Sequence, residues 1–356
     1  MSRLERWAEA PPRGVAPVLG AGEVLFRGAL ALRRAAYRAG LAKARAVPRP
    51  VISVGNLTAG GNGKTPLTML LADRLERRGL RVAVVMRGYA AARARADAAL
   101  IVSVRGEVRG AVEEAGDEAV LIARRTKASV VVDRDRARGA QTAIDALGVD
   151  VVVLDDGFQH WRLARDLDLV VLDARAPFDN GHLIPRGRLR ELPPALERAA
   201  LIAVHRGDAD DPWPVPPGVR IDLEVGVRPE RLTVGGEEQS LQRLAGARVA
   251  LLAAIARPER FRRTVERLGA EVVDATFLGD HQPISGEMVA AVQERARERG
   301  AALVLTTEKD QARFSDAAHG AGLWTLGIAL VILRGDDRLE SELTRAIERR
   351  AAPSPT

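Results

Sequence analysis

The sequence predicts an α/β fold, a parallel sheet flanked by helices with a smaller second α/β domain, on three observations. Continuous Val/Ile/Leu runs alternate with helical stretches, which is the pattern of a parallel sheet buried on both faces. One run ends in the glycine-rich turn GGNGKT at residues 60–65, and Lys-Thr then opens a helix. The stretch DADDPWPVPPGV at 208–219 interrupts the alternation, which resumes after it. Together they define a P-loop NTPase-like sheet followed by a second unit.

Residues 15–45 have helical periodicity. Val18, Leu19, Leu25, Phe26, Ala29, Leu30, Leu32, Ala36 and Tyr37 fall on one broad face, with Arg27, Arg34, Arg38 and Arg45 opposite. Two roles fit such a helix: docking on the protein's own core, or lying on an anionic membrane surface. Strands are expected at 50–56, 81–87, near 99–104, and at 128–133, 150–156, 167–174 and 201–205, with helices at 65–78, near 117–126, and from 134 to about 147. The Pro- and Asp-rich break sets a domain boundary. Beyond it come strands at 247–255, 270–277 and 301–307 and helices near 258–268 and 285–299. A strand-like stretch at 323–333 leads to a helix near 337–350 and the tail APSPT. The expected organisation is 1–45 as an amphipathic, membrane-facing helix, 46–210 as the P-loop core, 211–325 as the smaller domain, and 326–356 as a strand and helix returning to the core.

Composition narrows the function. Of 356 residues, 47% are hydrophobic and 28% charged, an ordinary globular balance. No apolar run reaches the ~18–20 residues of a membrane span. There is no cysteine, which excludes disulfides, thiolate metal sites and cysteine nucleophiles. The net charge of +7 favours anionic partners, but only four of the 54 basic residues are Lys. An aromatic content of 3% leaves few stacking platforms for single-stranded nucleic acid, so no nucleic-acid partner is expected.

The chemistry concentrates at two strand ends. In ISVGNLTAGGNGKTP (52–66), Gly60, Gly61 and Gly63, with Asn62 among them, let backbone N–H groups turn inward around a phosphate. The helix N-terminus adds its positive dipole end. Lys64 supplies a point charge for the β- and γ-phosphates, and the Thr65 hydroxyl suits Mg²⁺. The first glycine of the full consensus is Thr58 here. In VDVVVLDDGFQH (149–160) a buried strand ends in Asp155 and Asp156, the arrangement a Mg²⁺-positioning acid requires, with His160 four residues on. Asp155, by its place at the end of the apolar run, is the usual candidate for the metal, and Asp156 can share the task. Asp117 and Glu118 stand at an expected helix start, where capping explains them equally well. RGRLREL (186–192) is a basic loop able to hold an anion, and Asp280 and His281 fall in a loop of the second domain.

In order and spacing, GNLTAGGNGKTP, MRGY, AGDEA, VVVDRDR, VVVLDDGFQH, DLDLVVLDA, NGHLIPRGRLRE, ARPERF, DH and LTTEKD resemble the tetraacyldisaccharide 4'-kinase family over about residues 15–314. The resemblance implies ATP-dependent phosphorylation of the 4'-hydroxyl of a tetraacyldisaccharide 1-phosphate, a step of lipid A synthesis. It implies ATP and Mg²⁺ as cofactors, a glycolipid substrate, no obligate protein partner, and a peripheral site on the cytoplasmic face of the inner membrane of a Gram-negative bacterium. It also implies Asp117 as the base for the sugar hydroxyl, paired with His281 from the second domain, with Lys64 at the transferring phosphate. Thr65, Asp155 and Asp156 would serve the metal. Arg87, Tyr89, Glu118, Arg136, His160, Arg190 and Glu191 would surround nucleotide and substrate. The chain departs from the family pattern at Leu192, at Ile284 and after Tyr89. The alternative is a P-loop switch ATPase that binds membrane or protein partners.

Overall fold

The structure, a computed structural model, describes residues 15–60, 63–88, 98–109, 112–210, 212–255, 257–279, 282, 284–311 and 323–351. The chain divides into two units. One holds the residues up to Gly226 together with those from Leu330 onward, and the other spans Val227–Ala329.

The larger unit opens with helix α1 (Ala16–Arg38) and strand β1 (Val51–Gly55). There follow α2 (Lys64–Arg77), β2 (Val82–Met86), β3 (Leu100–Val104), β4 (Glu107–Val108), α3 (Val112–Ala115), α4 (Asp117–Arg125) and β5 (Ser129–Val132). After these come α5 (Arg136–Leu147), β6 (Val151–Asp155), β7 (Leu167–Asp173) and β8 (Leu201–Asp208). The strand order is β8-β7-β1-β6-β2-β5-β3-β4. Neighbours from β8 to β5 are parallel, and β3 and β4 add an antiparallel edge. Every residue of β1, β2, β5 and β6 is buried, as continuous apolar runs demand of a sheet covered on both faces. Leu67, Leu71 and Leu75 of α2 are fully buried, one helical stripe closing on the sheet.

The register positions the site. Val54 pairs with Asp155 across β1 and β6, so the turn after β1 and the carboxylates ending β6 leave the sheet side by side. Leu57, Phe158, Leu172, Leu183 and Leu189 form a core cluster beneath this edge, and Phe26 and Leu30 of α1 pack against it. The helix expected over 15–45 ends at Arg38. Gly40 adopts a φ of 73°, which breaks the helical path, and Arg45 then bridges to Leu163.

Strand β9 (Leu223–Val234) carries the chain into the smaller unit, which continues with β10 (Glu237–Gln239), β11 (Arg248–Ala253) and α6 (Pro258–Arg267). Next are β12 (Glu271–Phe277), α7 (Gly286–Glu298), β13 (Leu303–Thr307), α8 (Glu308–Gln311) and β14 (Trp324–Arg334). Its strands run β12-β11-β13-β14-β9, with β10 against β9. The pairs from β12 to β14 are parallel, around a core that includes Leu251, Phe261, Val265 and Leu305. Helix α9 (Asp336–Ala351) belongs to the larger unit, where its Glu340 pairs with Arg74 and Arg78 of α2.

Two sequence expectations need correction. The division falls at Gly226/Val227, after the expected 210/211. Residues 212–226 stay with the first unit because the Asp222 carboxylate accepts from Ile202 N–H at 2.8 Å and Glu224 pairs with Arg206. Likewise the second division is at Ala329/Leu330, a little after the expected 325/326. Strands β9 and β10 were not expected at all, since charged residues and Pro229 interrupt the apolar run.

Candidate active site

The phosphate loop leaves β1 and enters α2. Gly60 and Gly63 hold φ values of 115° and 83°, conformations that strain residues carrying a Cβ. Gly61 and Asn62 lie outside the described residues. At Gly63 a Cβ would also stand 2.5 Å from the ring of His205, a buried residue of β8. Lys64 donates from Nζ to Gly60 O at 3.0 Å and stands 3.8 Å from Asp156 Oδ1.

Asp155 is 3% exposed and receives two hydroxyls from one face of α2: Thr68 Oγ1 at 2.9 Å and Thr65 Oγ1 at 3.3 Å. Burial, then the charges of Glu118 and Asp156, push its pKa up to about 7. A carboxyl so placed is one that an added cation would return to its charged form. Asp156 differs. Its φ of 56° is unusual for a residue other than glycine, and the bend aims its carboxylate away from Asp155's partners and toward Lys64 and Arg190. Burial pushes the Asp156 pKa up, but Lys64, Arg190 and Arg136 outweigh it and hold the group below the ordinary carboxylate range.

Arg136 opens α5 and is buried, with Nη2 3.5 Å from the Asp156 carbonyl oxygen. Burial lowers its pKa, Asp156 opposes that, and Arg87, the residue after β2, adds repulsion. Asp117 and Glu118 form the first turn of α4, where Asp117 Oδ1 accepts from Glu118 N–H at 2.9 Å. The charge of Glu118 acts on Asp155 and helps to raise its pKa. His160 follows β6 in a tight turn. Its Nε2 is buried with no hydrogen-bond partner among the described residues. Burial, then Arg136, lowers its pKa to about 4. Tyr89 and His281 lie outside the described residues, as does Asp280.

A strap over 183–191 closes the near side. Ala59 N–H donates to Arg188 O at 2.7 Å and Arg190 N–H to Leu57 O at 2.7 Å, so the strap runs as a ladder along the first arm of the phosphate loop. It presents Arg188 to Gly60, Arg190 to Asp156 and Glu191 inward. Glu191 is 4% exposed and accepts from Arg198 at 2.9 Å and Gln159 at 3.4 Å. Between the strap and α1 lies a cavity of about 670 Å³, lined among others by Leu30, Arg33, Arg34, Trp161, Glu191 and Leu192. It combines an apolar wall, cations and a buried carboxylate.

Sequence reasoning missed Thr68, Gln159, Arg198 and His205. Thr68 had a signal, since it lies three residues after Thr65 on one helix face. Arg198 had none, because its stacking on Phe158 and Trp161 is a long-range contact.

Comparison with known proteins is consistent with this geometry. The family model described as tetraacyldisaccharide-1-P 4'-kinase matches residues 15–348. A relative from Anaeromyxobacter sp. (strain K), a tetraacyldisaccharide 4'-kinase, is 45% identical over 100% of this chain and 98% of its own length. One of the same name from Syntrophus aciditrophicus is 37% identical over 87% of this chain and 88% of its own. Among solved structures, an "apo" form of LpxK from Aquifex aeolicus in complex with ATP matches with a TM-score of 0.77. Its identity is 29%, over 94% of this chain and 99% of that one.

Proposed function

The chain belongs to the tetraacyldisaccharide-1-P 4'-kinase family, and from that premise we propose how its residues divide the work of phosphoryl transfer. The enzyme is a kinase that phosphorylates the 4'-hydroxyl of a tetraacyldisaccharide 1-phosphate with ATP, in lipid A synthesis. The observation that carries the site reading is the pairing of Val54 with Asp155, which sets Lys64 and Thr65 against the two carboxylates.

The loop glycines and the N-terminus of α2 cradle the triphosphate, and Lys64 neutralises its outer phosphates. Mg²⁺ fits this donor set. It is usually bound by one or two carboxylates plus substrate oxygens and water, and Asp155 with Thr65 offers that much. Asp155 and Thr65 would hold it, with Asp156, which is turned toward Lys64 and Arg190, joining them only by giving up one of those cations. The chemistry supplied there would be charge neutralisation on the phosphate oxygens. Asp117 accepts the 4'-hydroxyl proton late in transfer, and His281 orients it. Arg87, Arg136 and Arg190 serve the anionic groups, and Tyr89 would join them as the resemblance implies. Glu118, His160 and Glu191 fix their surroundings.

Helix α1 supports a membrane-facing role on the cytoplasmic side of the inner membrane. Leu19, Phe26 and Leu30 turn inward, whereas Val18, Leu25 and Leu32, seven residues apart, are 69%, 76% and 74% exposed. No helix among the described residues is long and apolar enough to cross a membrane. Such an outward stripe fits a helix lying in a lipid surface, where the acyl chains of the substrate reside.

The deciding experiment follows label from [γ-³²P]ATP into a tetraacyldisaccharide 1-phosphate acceptor. Wild-type enzyme is expected to transfer it. Asp117→Ala is expected to lower kcat roughly 10²–10⁴-fold with ATP affinity kept. Undiminished turnover in that variant would remove Asp117 as the base.

A further inference from the structure

Arg188 belongs to none of the roles above, yet it reaches the phosphate loop at its most crowded point. The strap ladder fixes its backbone: its carbonyl accepts from Ala59 N–H, and Leu189 bridges to Thr58. Its Nε donates to Ala59 O at 3.1 Å and stands 3.4 Å from Asp179 Oδ2. Those contacts leave the outer edge of the guanidinium directed over Gly60. A Cβ built on Gly60 would fall on Arg188 Nη2 and lie 3.4 Å from Cζ. Neither Nη1 nor Nη2 makes a hydrogen bond among the described residues.

The other cations of the site are engaged differently. Lys64 and Arg190 share Asp156, and Arg136 is directed at the Asp156 and Arg134 carbonyls. Of Lys64, Arg136, Arg188 and Arg190, Arg188 alone is anchored by its Nε side, with a two-nitrogen edge presented where the loop turns. That is the geometry of a planar fork suited to phosphoryl oxygens.

We propose that Arg188 is an arginine finger supplied in cis, contacting the γ-phosphoryl group as it leaves ADP. This rests on the kinase reading above. In the step itself the acceptor hydroxyl oxygen forms a bond to the γ-phosphorus, and the bond from that phosphorus to the β–γ bridging oxygen breaks. The hydroxyl proton goes to the base and the electron pair stays on ADP. Arg188 forms no covalent bond. It donates hydrogen bonds to oxygens whose charge is redistributed in the transition state, the role in which such arginines raise kcat. Gly60 is glycine on this account partly because any side chain there would displace the finger.

The test compares wild type, Arg188→Ala, Arg188→Lys, Gly60→Ala and the Gly60→Ala/Arg188→Ala double variant. Arg188→Ala should lower kcat by roughly 10³-fold, the lower end for losing an arginine finger, while ADP binding, measured by calorimetry, stays within about threefold. Lys should restore little, because it lacks the fork. Gly60→Ala also strains the loop on its own account at a φ of 115°, so it should lower kcat at least as far, and in the double variant the two losses should fall short of additivity. A second readout needs no glycolipid: binding of ADP with aluminium fluoride and magnesium, a mimic of the transferring group, should weaken in Arg188→Ala far more than binding of ADP alone. That separates failure of the finger from failure of the acceptor assignment. Equal loss of ADP and mimic binding would make Arg188 a structural buttress and overturn the proposal. So would kcat within threefold of wild type in Arg188→Ala, or full additivity in the double variant.

Discussion

One nitrogen of Arg190, Nη1, donates to both carboxylate oxygens of Asp156, at 2.8 and 2.7 Å. The same carboxylate stands 3.8 Å from Lys64 Nζ, so a single acid separates two cations that both border the phosphate loop. Its backbone is held at a φ of 56°, a conformation that costs about 1–3 kcal/mol and persists where the surroundings enforce it.

Asp156→Asn therefore removes the counter-charge of both cations at once. Calorimetry should find ATP binding undiminished, because Lys64 and Arg190 are left with more positive potential for the triphosphate. Steady-state assays should find kcat reduced roughly 10²–10³-fold, the scale for losing one electrostatic contact to a transition state. Weakened ATP binding with normal kcat would show that Asp156 serves the ground state instead.

The parts of the site that sequence reasoning reaches are those encoded locally. Gly60, Gly63, Lys64 and Thr65 announce a turn and a helix start within six residues, and Asp155 and Asp156 end an unbroken apolar run. Their mutual proximity needs only the parallel pairing of two strands. What escaped is set by long-range contact or by mixed patterning. Strand β9 buries Leu223, Val225 and Val227 but also carries Glu224, Arg228 and Pro229, so it reads as irregular. On α1 the inward Leu19, Phe26 and Leu30 sit beside the outward Val18, Leu25 and Leu32, and a helical wheel merges both sets into one face. The approach of His205 to Gly63 joins a strand to a distant loop and leaves no local trace.

His160 gives a pH dependence with a defined sign. Its folded pKa of about 4 lies below the ordinary 6.5, chiefly through burial, with Arg136, Arg165 and Arg162 opposing protonation and Asp135 favouring it. Above pH 6.5 neither folded nor unfolded chain binds the proton, so its effect on stability is nil. Between 6.5 and 4 the unfolded chain takes up a proton that the folded one refuses, and stability falls as pH is lowered. Urea unfolding at pH 7 and pH 5 should show wild type losing stability relative to His160→Gln on acidification. Ring resonances of His160 should titrate with a midpoint near 4. A midpoint near 6.5 would contradict the burial argument.

Gly55 ends β1 directly against Phe158. A Cβ there would overlap the Phe158 Cβ and lie 2.9 Å from its backbone nitrogen. Phe158 is fully buried and cannot yield without moving the turn that follows Asp156. Gly55→Ala should thus lower unfolding free energy by about 1–3 kcal/mol, as overpacking does. Activity should drop beyond the fraction unfolded, because the shifted turn carries Asp156. Denaturant midpoints and kcat on the same preparation check both, and a stability equal to wild type would mean that the strand end relaxes freely.

The outward stripe of α1 makes the lipid-surface role measurable apart from catalysis. Leu25 and Leu32 make no inward contact to lose, being 76% and 74% exposed, so Leu25→Glu/Leu32→Glu should leave folding and ADP binding intact. In a membrane-bound state each leucine would bury its side chain in the interface, worth up to roughly 1.5–3 kcal/mol. Replacing both with carboxylates also adds repulsion from anionic headgroups. Sedimentation with vesicles of phosphatidylethanolamine and phosphatidylglycerol should show the partition coefficient of the double variant reduced roughly 10²-fold or more. Transfer to vesicle-embedded acceptor should fall in parallel, while transfer to acceptor dispersed in detergent is retained. Equal partitioning of wild type and variant would leave this face of the helix without a lipid-binding role.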